Sequence, residues 1–189
     1  MKKVVCVLGS PRSGGNSETI ARKFLETAES LGAQTQTFAL NCLDFKGCQA
    51  CMGCKTGAEE CVVKDDLADV LRAVRDADVL VLTSPIYFGQ VTGQLKCFID
   101  RTYSFLKPNY LSDPNPTRLA PGKKAVFIIT QGNPDPNAFD VFSSYEGFFK
   151  WFGCEAHVIR GVGLGAKTDA AGREDLLKQA EDLAKELHS

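Results

Sequence analysis

Short β-branched, apolar runs alternate with stretches of helical periodicity five times along this chain, and no other feature constrains its fold as much. Lys3–Leu8 (KVVCVL) is apolar at successive positions, as a strand covered on both faces must be. After Gly9–Gly15 comes a helical stretch, Asn16–Leu31, with Ile20, Phe24, Ala28 and Leu31 at helical spacing and Gly32 to close it. Ala33–Leu40 reads as a second strand and Asp65–Asp76 as a helix with Leu67, Val70, Leu71 and Val74 on one face. Val79–Thr83 (VLVLT) is a third strand. Gly93–Leu106 (helix), Lys124–Thr130 (strand), Ala138–Phe152 (helix), Cys154–Arg160 (strand) and Asp169–His188 (amphipathic helix) complete the series. Such a series calls for an α/β fold, a parallel sheet with helices on both faces. Five strands favour the order 2-1-3-4-5, in which ligands sit beyond the carboxyl ends of the strands, at the switch point between strands one and three. The loops after Leu8 and Thr83 should therefore carry the function, with the loop after Thr130 next.

At 189 residues the chain is within single-domain range. Residues 1–189 read as one domain, interrupted by a cysteine-rich loop at about 41–65. A net charge of −1 with no basic stripe argues against a nucleic-acid partner. The longest apolar runs, such as Val4–Leu8 and Val79–Leu82, are far shorter than a membrane span, and nothing like a signal peptide follows Met1. The expectation is a cytoplasmic protein with no membrane partner. Eight cysteines are unusual there, and cysteines crowded together in a reducing compartment more often mean metal or redox chemistry than disulfides.

The first loop, Gly9-Ser10-Pro11-Arg12-Ser13-Gly14-Gly15-Asn16-Ser17, suits a phosphate. Its glycines let backbone amides converge, Ser10, Ser13 and Ser17 supply hydroxyls, and the helix N-terminus adds a favourable field for an anion. A plain N-cap would need one such residue, where this loop offers several and an arginine. A Walker loop needs lysine before the final Ser, and Asn16 stands there instead. The G-x-G-x-x-G dinucleotide pattern is absent too, so a terminal monophosphate fits best. After the third strand, Ser84-Pro85-Ile86-Tyr87-Phe88-Gly89-Gln90 places two aromatics in a Pro/Gly-framed loop, an apolar shelf for a flat ring, unless they fold back over the core.

GSPR with Asn16-Ser17, followed by SPIYFG, resembles the NADPH-dependent FMN reductase and iron–sulfur flavoprotein branch of the flavodoxin superfamily, over essentially the whole chain. The resemblance implies a flavodoxin-like three-layer sandwich. It implies that Ser10, Arg12, Asn16 and Ser17, with Ser13 in the same loop, hold the phosphate of FMN. Pro85, Ile86, Tyr87, Phe88 and Gly89 would border the isoalloxazine, and Gln131-Gly132 would complete the ring site. No side chain is assigned a catalytic role, because the flavin carries the chemistry.

Between Leu40 and Asp65 lies a long stretch without periodicity, which in a compact domain is usually functional. It holds Cys48, Cys51, Cys54 and Cys61 as C-x2-C-x2-C-x6-C, with glycines at 47, 53 and 57. Tight C-x2-C spacings suit Fe–S ligation, and the pattern resembles the motif of iron–sulfur flavoproteins, which carry a four-iron cluster near FMN. Relatives in the same broad family carry similar loops, followed by an acidic pair like Asp65-Asp66, and need not hold a cluster. Three occupancies stand open: a 4Fe-4S cluster, free thiols with one redox-active, and zinc.

Cys6 and Cys97 read as small core residues, Cys42 as either. His157 and His188 do not suggest acid/base catalysis. Trp151 with Phe148, Phe149 and Phe152 reads as core or a subunit contact, and the proline-rich excursion Lys107–Gly122 can pack across subunits in such a family. The functional expectation is an FMN-dependent oxidoreductase fed by NAD(P)H, a homodimer or higher homo-oligomer with a redox protein as a candidate partner. The rivals are a non-enzymatic electron carrier, against which the small net charge argues, and a thiol- or metal-based redox sensor.

Overall fold

The computed structural model describes residues 1–188. Its elements run β1 (Lys3–Leu8), α1 (Asn16–Ser30), β2 (Gln34–Ala39), α2 (Gly53–Thr56), α3 (Leu67–Asp76), β3 (Val79–Pro85), α4 (Gly93–Arg101), β4 (Lys124–Thr130), α5 (Val141–Trp151), β5 (Glu155–Gly161) and α6 (Glu174–His188). The sheet order is β2-β1-β3-β4-β5, and every pairing is parallel. The order expected from the sequence is the one observed.

The period-2 geometry of β1 sorts its side chains into two cores. Val4, Cys6 and Leu8 face α1 and α6, joining Ile20, Phe24, Ala28, Ala180 and Ala184. Val5 and Val7 face the opposite layer, with Val70, Leu71 and Val74 of α3, Leu95 and Phe98 of α4, and Tyr145 and Phe149 of α5. This is why the strands read as unbroken apolar runs: both faces are covered. The edge strand β2 is more exposed and more polar.

Three segments differ from the sequence expectation. The helix expected over Gly93–Leu106 ends at Arg101 and tightens into a 3-10 turn, Thr102–Phe105, which keeps Phe105 and Leu106 buried and so preserves an apolar spacing that looks helical. The helix expected over Ala138–Phe152 begins at Val141, where Asp140 caps it by accepting from Ser143 N (3.3 Å). Asp169–Gly172 is a separate 3-10 turn before α6. The cysteine loop is not wholly irregular, since α2 and a 3-10 turn at Leu40–Cys42 lie within the stretch after β2. No helix among the described residues is long and apolar enough to cross a membrane.

Candidate functional site

β1 and β3 are neighbours, and their following loops meet at Gly9. Its N–H donates to Thr83 O (2.9 Å), and its carbonyl accepts from the Thr92 hydroxyl (2.6 Å). A Cβ at Gly9 would stand 2.6 Å from Thr83 O and 2.8 Å from Leu95 Cβ, so only glycine permits this approach. Thr92 also caps α4, accepting from Leu95 N (3.4 Å). One buried hydroxyl thus ties the first loop to the start of α4.

Beyond Gly9 the chain turns at Ser10, whose hydroxyl accepts from Arg12 N–H (3.0 Å). It enters α1 with no side chain capping the helix. The first helical bond runs from Thr19 N–H to Gly15 O, so the amides of residues 16 to 18 point out of the helix end without an intrahelical partner. This end borders a cleft of about 150 Å³. Ser10, Arg12, Asn16 and Ser17 line it from the first loop, Pro85, Ile86 and Tyr87 from the third, and Gln131 and Gly132 from the loop after β4. The structure therefore brings these expected residues to one place.

Ser13, Phe88 and Gly89 do not line the cleft. Tyr87 and Gln90 close a two-residue turn (N–H to O 2.9 and 3.1 Å), with positive φ at both central residues, Phe88 (50°) and Gly89 (76°). The turn throws the Phe88 ring wholly into solvent and leaves Tyr87, 40% exposed, at the cleft.

The polar chemistry of the cleft suits an anion at one end and a hydrogen-bond donor further in. Arg12 and Lys167 both line it, and no carboxylate does. Gln131 is 4% exposed; its side-chain amide donates to Asn133 O (3.0 Å) and Asp135 O (2.8 Å), while its Oε1 is buried without a partner among the described residues. A buried acceptor is costly to leave unmatched, and this one belongs to a residue that lines the cleft. Asn16 spends its side chain elsewhere: Nδ2 donates to Ala166 O (2.7 Å) and Leu164 O (3.3 Å), and Oδ1 accepts from Ala170 N (2.9 Å).

The four motif cysteines line a second cavity, of about 250 Å³, together with Arg101 and Tyr103. Burial pushes the Cys54 thiol up, Lys55 beside it pulls it back, and Cys61, Cys48 and Cys51 push it up again, so the four sulfurs feel one another. Ala50 (φ 50°) and Met52 (φ 57°) hold the loop in left-handed conformations that cost a non-glycine residue about 1–2 kcal/mol each. Arg101, 1% exposed, anchors the loop. Its guanidinium donates to Asp65 (2.8 and 3.2 Å), to Lys46 O (2.9 Å) and Val63 O (3.3 Å), and its Nε–H approaches Cys61 Sγ at 3.0 Å. Lys55 pins the other side, donating to the carbonyls of Tyr103 and Leu106 (2.6 Å each) and lying 3.9 Å above the Tyr103 ring. Among the described residues, no group of three or more His, Cys, Asp or Glu side chains is gathered as a single metal ion would gather them. Cys6 is buried in the core, whereas Cys97 is half-buried and lies under Gly47 of the loop.

Sequence reasoning missed the loop after β5, which brings Leu164, Gly165 and Lys167 to the cleft. The signal was present as Gly161-x-Gly163-x-Gly165 followed by a lysine, at the same edge as the other loops. Arg101 was missed because a basic residue at a helix end ordinarily lies in solvent.

Comparison with known proteins bears on the family and the fold. An iron-sulfur flavoprotein of Archaeoglobus fulgidus is 35% identical over 184 residues, covering 95% of this chain and 76% of that one. An iron-sulfur flavoprotein of Methanosarcina thermophila is 32% identical over 108 residues, 57% of this chain and 56% of that protein. The chain thus spans about half the length of several curated relatives it matches. The crystal structure of an FMN-dependent NADH-azoreductase from Bacillus anthracis superposes over the full length of both chains with a TM-score of 0.75 at 15% identity, a likeness of fold. The family model for NADPH-dependent FMN reductase matches residues 2–161, a span that contains β1 to β5 and the first, third and fourth loops of the cleft, and this places the chain in the NADPH-dependent FMN reductase family.

Proposed function

We propose that this chain is an FMN-dependent oxidoreductase whose cleft between the first, third, fourth and fifth loops holds the flavin. The observation that carries this reading is the pairing, in one cleft, of an uncapped helix end beside Arg12 with the orphaned, buried Oε1 of Gln131. The first suits a phosphate dianion and the second suits a donor on a ring or ribityl chain. Ser10, Arg12 and Ser17 hold the phosphate end, and Pro85, Ile86, Tyr87 and Gly132 border the ring. Bound there, FMN supplies a ring that accepts a hydride from NAD(P)H and gives electrons up singly or in pairs. The protein's part would be to hold the phosphate at the start of α1 and to border the ring with the apolar Pro85 and Ile86 and with Tyr87. The curated relatives' names support the same reading for the cysteine loop: Cys48, Cys51, Cys54 and Cys61 around one cavity fit a 4Fe-4S cluster, whose cube holds its ligand sulfurs farther apart than a single ion does. Half-exposed Phe148 and Trp151 support a homo-oligomeric contact, and eight unpaired cysteines support a reducing, cytoplasmic setting.

Anaerobic mixing of the FMN-loaded protein with NADH or NADPH tests the activity. Bleaching of the flavin absorbance faster than that of free FMN is the expected result. No acceleration with either nucleotide would return the chain to the electron-carrier reading.

A further inference from the structure

Asn16 is the first residue of α1, yet all the bonding capacity shown by its side chain goes to residues some 150 positions away. It donates to Leu164 O and Ala166 O and accepts from Ala170 N, a three-point strap between the phosphate loop and the loop after β5. An Asn amide so engaged has little left for a phosphate. The strapped loop carries Lys167, and Lys167 lines the same cleft as Ser10, Arg12 and Ser17. Among the described residues neither Lys167 nor Arg12 is ion-paired, and no carboxylate lines the cleft to neutralise them. Two cations line the cleft beside the start of α1, while the nearest carboxylates, Glu18 on Gly14 N–H and Asp169 on Ala166 N–H, stand outside its lining, so the concavity itself is positive. That the cleft takes a ligand is indicated independently by Gln131, a cleft-lining residue only 4% exposed, with an acceptor oxygen that nothing among the described residues satisfies. Lys167 lies beyond residue 161, outside the span that the family model matches.

We propose that the loop after β5 is a wall of the phosphate site: Lys167 binds the terminal phosphate of the flavin, and Asn16 acts on that phosphate only through the loop, as a positioning residue. The proposal rests on the FMN reading above. It changes the role that the resemblance implied for Asn16, from a direct phosphate ligand to the tie that keeps a lysine over the phosphate.

The test compares FMN with riboflavin, which lacks the phosphate, by fluorescence titration of Lys167→Ala, Lys167→Arg, Asn16→Ala and the double variant Asn16→Ala/Lys167→Ala. Lys167→Ala should weaken FMN about tenfold, the loss of one charge-assisted hydrogen bond, and leave riboflavin unchanged, while Lys167→Arg should restore FMN affinity. Asn16→Ala should weaken FMN by a similar factor, and the double variant should lose little more than either single one, because both act on one contact. Free of flavin, Asn16→Ala should be cut faster by trypsin after Lys167. Unchanged FMN affinity in Lys167→Ala would overturn the proposal, and so would fully additive losses, which mean that Asn16 reaches the phosphate itself. Wild-type protein that binds both flavins equally would overturn the FMN reading and this proposal with it, whereas a wild-type preference for FMN retained in Lys167→Ala would overturn this proposal alone.

Discussion

Arg101 shows how one side chain can set a loop. Its guanidinium is out of water, and the Asp65 carboxylate, itself mostly covered, is its counter-charge. Burial alone would raise the Asp65 carboxyl, but its bonds from Arg101 and the Lys46 amide outweigh that and hold it below the ordinary carboxylate range. Asp65→Asn should leave a buried cation unpaired and cost about 3–5 kcal/mol in urea unfolding at neutral pH. A carboxyl depressed in the folded state contributes stability above its unfolded value, and that contribution is lost as pH falls through the folded one. The gap between wild type and Asp65→Asn should therefore shrink as the medium is acidified below the usual carboxylate range; a gap that did not change with pH would remove Asp65 as the counter-charge. Phe88 offers a second check at this scale. A bulky residue held at positive φ with its ring in solvent is strained and unsupported by packing, so Phe88→Gly should raise the melting temperature. Tyr87→Ala, in contrast, should alter the fluorescence of bound FMN, because Tyr87 lines the cleft. At this scale the gathering of Ser10, Arg12 and Ser17 at one cleft was legible in the sequence, since the three are local to one turn. Phe88 was not, because a turn type decides which of two adjacent aromatics faces inward. Nor were Asn16's partners, which lie across the fold.

The elements were legible where two-sided burial writes an unbroken apolar run. β1 and β4 occupy the residues expected of them, and β3 only runs on through Ser84 and Pro85. Helix ends were less legible. Phe105 and Leu106 continue the apolar spacing of α4 through a 3-10 turn, and periodicity cannot separate the two. What periodicity could not show at all is how α4 is joined to the first loop. Thr92→Val removes both the cap on Leu95 N and the bond to Gly9 O, with a small change in shape, and should cost about 1–2 kcal/mol. Gly9→Ala should be more damaging, because its Cβ must displace the backbone of β3 rather than a flexible side chain. Thermal unfolding of the two variants checks the order, and a Gly9→Ala protein as stable as wild type would show that the two strands are not packed this closely.

Across the whole molecule, the sheet order gathers at one edge what the chain scatters from Ser10 to Lys167. The cysteine loop leaves the neighbouring β2 and hangs on Arg101 at the end of α4, the helix that follows the third loop. If its four cysteines hold a cluster, anaerobically purified protein should contain iron and sulfide near the amount of one cluster per chain, with broad visible absorbance beneath the flavin bands. Serine at Cys48, Cys51, Cys54 or Cys61 should then abolish it, and serine at Cys6 should not. Protein carrying flavin alone, with four freely titrating thiols, would make the loop a surface or interface element. The flavin site does not depend on that outcome. The most direct measurement of it is the ratio of FMN to riboflavin affinity in the wild-type protein, titrated under identical conditions. An uncapped helix end with two cations should favour FMN by at least about a hundredfold, the worth of two charge-assisted hydrogen bonds, whereas equal affinities would show that the cleft at the start of α1 does not hold the phosphate.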